Sequence, residues 1–317
     1  MNKEHDHVAV LALNPAVDIS YEIPQLLEYQ KVRASQTWYH PGGNGINISR
    51  ALMELAAPAN CCSIIAGESG DLLLNLLGDT LGERHKWFRV PGETRLNTTI
   101  LQQSPPGQYE ISSIGPEIPA SVLNEVCDCL LESAHKGIIV LSGQLPPGVP
   151  VTTYKDLVER ISKQGGKAVV DTHSEPLQLA IEAKPWLIRI NRHILEMLMK
   201  RRIDTVQDVA DAARTIQQQG VKLVCVTLGR EGAVLVDDDN SYHCEAPKVH
   251  RQSTVGCGDS LVAGMIAAAH KGETTAQMLR LGVTCASATA SHPGTELFSR
   301  EELEALTVDV EVTQLDV

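Results

Sequence analysis

Short apolar runs that alternate with amphipathic stretches limit what this chain can fold into. Segments 8–13, 61–66, 137–142, 167–171, 186–190 and 222–228 are brief and rich in Val, Ile and Leu, and most end in small or polar residues. Such runs are buried on both faces, as the strands of a parallel sheet are. Between them, 44–55, 70–77, 121–134, 152–164, 176–183 and 205–219 read as helices. The alternation predicts an α/β fold, a mainly parallel sheet with helices on both faces. Ligands then gather at the carboxyl ends of the strands.

Two stretches depart from that rhythm. An alternating segment within about 16–38, and a hairpin within 95–114 that turns at Ser104-Pro105-Pro106-Gly107, predict a small β lid projecting from one domain of residues 1–317. An ordinary surface hairpin would read the same way. Gly232 to Val236, running into Asp237-Asp238-Asp239-Asn240, reads as a further hairpin strand. The residues after about Thr307 read as an acidic tail with little to bury.

Composition narrows the partners. With 317 residues, 43% of them hydrophobic, a sizeable core is available. Aromatic residues are only 3%, too few for stacking platforms on single-stranded nucleic acid, and a net charge of −12 repels nucleic acid and anionic membranes. None of the eight cysteines forms a C-x-x-C pair, so they read as buried free thiols of a reducing cytosol. Residues 1–7 lack the apolar core of a signal peptide and no run reaches membrane-spanning length, so a cytoplasmic location is expected.

Two glycine-rich helix starts carry the chemistry. Ser253-Thr254-Val255-Gly256-Cys257-Gly258-Asp259-Ser260 runs into an apolar helix. Unpaired N–H groups at such a start, with the helix dipole behind them, form an anion hole suited to phosphate. Asp259 sits inside it, where a carboxylate would take a proton from an attacking hydroxyl, although Asp is also a favoured N-cap. The second start, Pro41-Gly42-Gly43-Asn44-Gly45-Ile46-Asn47, lets backbone approach a ligand and offers the amides of Asn44 and Asn47 to hydroxyls. This second start is not a Walker A loop, and no dinucleotide fingerprint follows the first strand, which argues against a Rossmann dehydrogenase.

Together, in this order and at this separation, the two motifs resemble the ribokinase/PfkB family of ATP-dependent sugar kinases, over about residues 8–306. Asn14-Pro15-Ala16-Val17-Asp18, Lys31-Val32-Arg33, Gly115-Pro116-Glu117 and Ser142-Gly143-Gln144-Leu145-Pro146-Pro147-Gly148 are similar to its branch acting on phosphorylated ketohexoses. The resemblance implies a three-layer α/β/α sandwich with a β lid, ATP and Mg²⁺ as cofactors, and a sugar phosphate such as fructose 1-phosphate, fructose 6-phosphate or tagatose 6-phosphate. It implies Asp259 as the base and the N–H groups of Gly256, Cys257 and Gly258 as the phosphoryl cradle. Asp18, Gly42, Gly43, Asn47 and Asn97 would hold the sugar, and Lys31, Arg33 or Arg95 its existing phosphate. Arg189, Asn191, Thr227, Gly229, Gly232 and Ala288 would line the ATP site, although helix packing explains the small residues 282–288 almost as well. An exposed lid edge offers a surface for a homodimer.

One departure stands out. The family carries Asn-x-x-Glu after the fifth strand, often preceded by Lys-Pro, and its Glu serves the Mg²⁺ environment. Here Asn191 is kept and Arg189 stands near the lysine, but Ile194 occupies the glutamate position, so no residue is assigned to metal. Glu196 lies two residues on, turned by about 200° around a helix. Arg192 and His193 add positive charge nearby, and Gln144 replaces a common serine. The alternatives are a kinase of an unphosphorylated sugar or nucleoside, and a catalytically impaired sensor of sugar phosphate or nucleotide.

Overall fold

The computed structural model describes residues 8–306 and 310–316. The chain opens with β1 (Val8–Ala12) and turns at once into two strands of a separate sheet, β2 (Ala16–Ile23) and β3 (Gln36–Gly42). It returns through α1 (Asn44–Glu54), β4 (Asn60–Ala66), α2 (Gly67–Leu77) and β5 (His85–Val90), then completes the small sheet with β6 (Arg95–Gln102) and β7 (Gly107–Ile111). After α3 (Ala120–Ser133) come β8 (Ile138–Ser142), α4 (Thr153–Lys163), β9 (Lys167–Asp171), α5 (Ser174–Glu182), β10 (Leu187–Asn191), α6 (Arg192–Met199), α7 (Val206–Gln217) and β11 (Leu223–Thr227). The last part holds β12 (Ala233–Val236), β13 (Ser241–Cys244), α8 (Cys257–His270), α9 (Thr275–Thr289), α10 (Arg300–Leu306) and β14 (Val312–Leu315).

Ten strands make the main sheet, in the order β14-β13-β12-β11-β10-β9-β8-β1-β4-β5. Pairing is parallel from β11 through to β5, and antiparallel from β11 to β14. Alternating side chains feed two cores. Ala9, Leu11, Ile139 and Leu141 meet Leu130, Leu157, Leu177 and Val209 of α3, α4, α5 and α7. Val8, Val10, Ile138 and Val140 meet Ile48, Leu73, Val262 and Leu279 of α1, α2, α8 and α9. Both faces are covered, which gives the α/β/α layering expected from the alternation.

The six strand runs and six helix runs of the sequence all form, with ends shifted by at most a few residues. The differences from those readings include β5, α2 and β14. The strand at 85–90 was not expected: its sequence HKWFRV mixes charge with aromatic residues, and it closes one edge of the sheet. Helix α2 begins three residues early, because the Glu93 carboxylate accepts from the Ser69 N–H at 3.0 Å and holds its first turn. The stretch read as an acidic tail is corrected: Val310 is buried and β14 pairs with β13 as the other sheet edge. The expectations for residues 1–7 lie outside the described residues. Among the described residues, no helix is long and apolar enough to cross a membrane.

The four-strand sheet has the order β3-β2-β6-β7, with β2 and β6 parallel. It springs from the carboxyl end of β1, which brings its inner strands to the side where the parallel strands end.

Candidate active site

Gly256, at φ 79, caps α8 in a left-handed conformation that only glycine adopts without strain. The helix it starts is apolar and buried from Asp259 to Ala268, so Asp259 is drawn inward with it, to 6% exposure. Its carboxylate accepts from Asn44 Nδ2 and Asn47 Nδ2, each at 2.8 Å. Three residues apart on the first turn of α1, those amides share one helix face. The two glycine-rich starts, far apart in sequence, thus meet at one carboxylate. Burial pushes Asp259 up to about 7, and the negative charge of Asp171 adds to the rise, while Asn47, Asn44 and Arg189 pull against it.

The glycines of the first start serve close approach. A Cβ on Gly42 would fall 2.2 Å from the Asp18 carboxyl, and one on Gly43, at φ 90, would fall 2.8 Å from Pro15 Cα. Asp18 itself is buried on β2, where it accepts from Asn97 Nδ2 of β6 and from Thr295 Oγ1, both at 2.8 Å. Arg95 is 7% exposed, and its Nε donates to the Asn14 carbonyl at 3.1 Å. Burial lowers its guanidinium from the ordinary value, and Asp18 opposes that. Lys31 and Arg33 are placed differently. Both are exposed in the connection between β2 and β3, and no hydrogen bond or ion pair among the described residues ties either to this cluster.

On the opposite flank, Arg189 of β10 lies against Gly258 at the start of α8. Its guanidinium reaches Asp171 Oδ1 at 3.4 Å and Thr227 Oγ1 at 3.1 Å, and a Cβ on Gly258 would fall 2.4 Å from its Nη2. Burial works against its charge, but Asp171 and Asp259 outweigh that and raise it above the ordinary value. Gly229 and Gly232, at φ 64 and φ 85, shape the tight turn after β11, which Arg192 ties to α6 through Glu231 at 3.0 and 3.1 Å.

Other residues take different duties from those expected. The Cys257 N–H already bonds the Thr254 carbonyl at 3.4 Å, whereas the Gly256 and Gly258 N–H groups have no partner among the described residues. Asn191 Oδ1 accepts from the Ile194 N–H at 2.8 Å, so that side chain caps α6. Ala288 is 1% exposed within the packing of α9 and offers no surface to a nucleotide; Gly282 nearby is pressed to the Leu261 carbonyl of α8. Helix packing therefore accounts for that stretch. Ile194 packs on the core beneath α6, and Glu196 accepts from the Ile203 N–H at 3.0 Å, so it does not take over the missing glutamate.

Sequence reasoning missed three residues of this site. Asp171 ends a strand that the sequence did show, and the rule that ligands gather at strand carboxyl ends would have flagged it. Its Oδ2 is buried with no protein partner. Thr295 left no local signal. Nor did Gln108 of β7, whose side chain bonds Thr254 twice: its Nε2 donates to Thr254 Oγ1 at 2.9 Å and its Oε1 accepts from the Thr254 N–H at 3.2 Å.

A buried carboxylate between two amides, beside free helix N–H groups faced by a guanidinium, has the chemical groups that phosphoryl transfer calls for. The family model described as pfkB family carbohydrate kinase matches residues 10–302. The chain belongs to the pfkB carbohydrate kinases. It is a phosphotransferase with an alcohol group as acceptor. The chain is 31% identical to the ATP-dependent 6-phosphofructokinase isozyme 2 of Escherichia coli (strain K12), over 94% of this chain and 97% of that one. Against the 1-phosphofructokinase of Bacillus subtilis (strain 168) the identity is 30%, over 97% and 100%. A crystal structure of the phosphofructokinase-2 from Escherichia coli, in complex with substrates and products, superposes with a TM-score of 0.90 at 30% identity, covering 95% of this kinase and 98% of that chain. The ribokinase of Thermotoga maritima shares the fold at a TM-score of 0.77 and 19% identity, covering 96% and 99%.

Proposed function

We propose that this pfkB kinase transfers the γ-phosphoryl group of ATP to a hydroxyl of a phosphorylated ketohexose. The observation that carries the reading is Asp259, a buried carboxylate pushed up to about 7 and aimed by Asn44 and Asn47 at the mouth of an anion hole. A base poised there is half ionised near neutral pH, which suits removal of a hydroxyl proton as the oxygen attacks.

The residues then take the following parts. Asp18, fixed by Asn97 and Thr295, accepts from sugar hydroxyls and sets which hydroxyl faces Asp259. Gly42 and Gly43 let the ring lie close to backbone. As the hydroxyl oxygen bonds to the γ-phosphorus, its proton passes to Asp259 and the bond to the ADP oxygen breaks. The Gly256 and Gly258 N–H groups and Arg189 hold the charge that builds on the transferring group. The small sheet acts as the lid that keeps water from competing as acceptor. Arg95, with Lys31 and Arg33 in the exposed connection between β2 and β3, supplies the cations for the substrate's own phosphate. Thr227, Gly229 and Gly232 form the nucleotide turn, and a cytoplasmic location completes the reading.

The donor set suits a Mg²⁺ that arrives with ATP. That ion usually binds one or two carboxylates together with substrate phosphates, and the free Oδ2 of Asp171 offers one. When bound, it neutralises phosphate charge. With Ile194 in place of a second acid, Arg189 carries more of that work here than a metal ligand would.

An ADP-release assay over fructose 1-phosphate, fructose 6-phosphate, tagatose 6-phosphate and their unphosphorylated parents, with and without Mg²⁺, tests the proposal. Turnover should be confined to the phosphorylated sugars; ATP binding with no transfer to any of them would overturn it. Asp18→Ala removes a charged acceptor worth about 1.5–3 kcal/mol, so KM for the sugar phosphate should rise about 10- to 100-fold while KM for ATP stays nearly unchanged. A symmetric dimer through the small sheet is also part of this reading. Its support is the exposed Tyr39, Leu96, Tyr109 and Ile111 on that sheet. Sedimentation of the wild type and of Ile111→Asp reads it: a dimer that Ile111→Asp dissociates is expected, and a wild-type monomer at micromolar concentration contradicts it.

A further inference from the structure

Cys62 and Cys129 are brought together by the packing of α3 on the sheet. On β4, side chains alternate between the two cores, and Cys62 points to the side covered by α3 whereas Cys61 points to the other. Cys129 lies on α3, partly buried against the same core. One further bond fixes the helix over the strand there, Asn60 Nδ2 donating to the Ser133 carbonyl at 2.9 Å, while Ser133 Oγ donates back along α3 to the Cys129 carbonyl at 2.7 Å. The two Sγ atoms are 2.9 Å apart. That is roughly 0.9 Å more than a disulfide bond.

We propose that Cys62 and Cys129 are a modification site, a dithiol that a peroxide converts to a disulfide clamping α3 to β4. Cys129 is the more accessible thiol, so it meets the oxidant first. Its thiolate sulfur attacks one peroxide oxygen, the O–O bond breaks, and hydroxide leaves and takes up the thiol proton as water. The resulting sulfenic acid is attacked by the Cys62 sulfur. An S–S bond forms, the S–O bond breaks, and a second water carries away the Cys62 proton. Two thiols are oxidised and one peroxide is reduced to two waters. Burial raises the Cys62 thiol well above the ordinary value, which makes it the resolving partner and not the first nucleophile.

The crosslink closes the long loop between β4 and α3 and removes freedom from the unfolded chain. It lies near the start of β4, whereas the anion hole gathers at the other ends of the parallel strands.

The test uses the full chain treated with hydrogen peroxide, quenched by alkylation and digested without reductant. A linked peptide pair, with fragment ions that assign Cys62 and not Cys61, is expected, together with the loss of two titratable thiols that dithiothreitol restores. The midpoint of thermal unfolding should rise by several degrees on oxidation, and Cys129→Ser should abolish both the linked pair and the rise. Recovery of Cys62 and Cys129 as separate thiols, or as unlinked sulfinic or sulfonic acids, overturns the proposal; so does a linkage to any other cysteine in preference to this one.

Discussion

Asp259→Asn is expected to lower kcat by about 10²- to 10⁴-fold, the contribution typical of a positioned general base. The amide keeps the size of the carboxylate, and ATP binding measured by calorimetry should be unchanged. Wild-type kcat should rise with pH through about 7, because Asp259 acts only when ionised and burial has lifted it there. That limb should vanish in the variant. The same shift ties Asp259 to stability. A carboxyl raised on folding favours the fold fully below its unfolded value, about pH 4, and that contribution is lost as pH rises through 7. The variant should therefore match the wild type in urea unfolding at acid pH and exceed it at pH 8. Lower activity with higher stability in one substitution marks a group held against its own preference; full turnover by Asp259→Asn would move the base to another residue.

Arg189→Ala is the second large effect. It removes the guanidinium that rests on Gly258 and leaves Asp171 buried with no counter-charge. Loss of one such donor from a charge-stabilising site lowers kcat by about 10²- to 10³-fold. Asp259 would also rise further, since Arg189 opposes its shift, so the acid limb of the pH profile should move to higher pH. Arg189→Lys keeps the charge and should recover much of kcat with the limb back in place. If both variants lose activity equally with an unmoved limb, the guanidinium is a scaffold and the anion hole works without it.

Much of the fold was readable because the signals were local. Buried parallel strands write themselves as short apolar runs, and all six did so within a residue or two. Both glycine-rich helix starts were likewise visible, since a left-handed N-cap and a close approach demand glycine at fixed places. Edges were harder. β5 carries the exposed charges Lys86 and Arg89, and β14 has the composition of a polar tail until β13 supplies its hydrogen bonds. The site divides along the same line. Asp259 and Asn47 were found from their motifs, but Thr295 reaches Asp18 across 277 residues and Gln108 reaches Thr254 across 146, and nothing local announces such pairs. Ala288 shows the converse: small residues suit an adenine wall and a tight helix crossing equally, and only packing decides between them.

The pair of bonds between Gln108 and Thr254 has a mechanical consequence. One sheet carries Asp18 and Asn97 at its middle and Gln108 at its edge, and that edge is fastened to the loop that leads into Gly256. The residues proposed for acceptor and for phosphoryl donor are in this way tied to a single part. Under the proposed function, a shift of the sheet that releases sugar would also pull on the turn that leads into Gly256, an idle nucleotide would meet a cradle out of alignment, and thrift with ATP would follow from the way one strand is pinned.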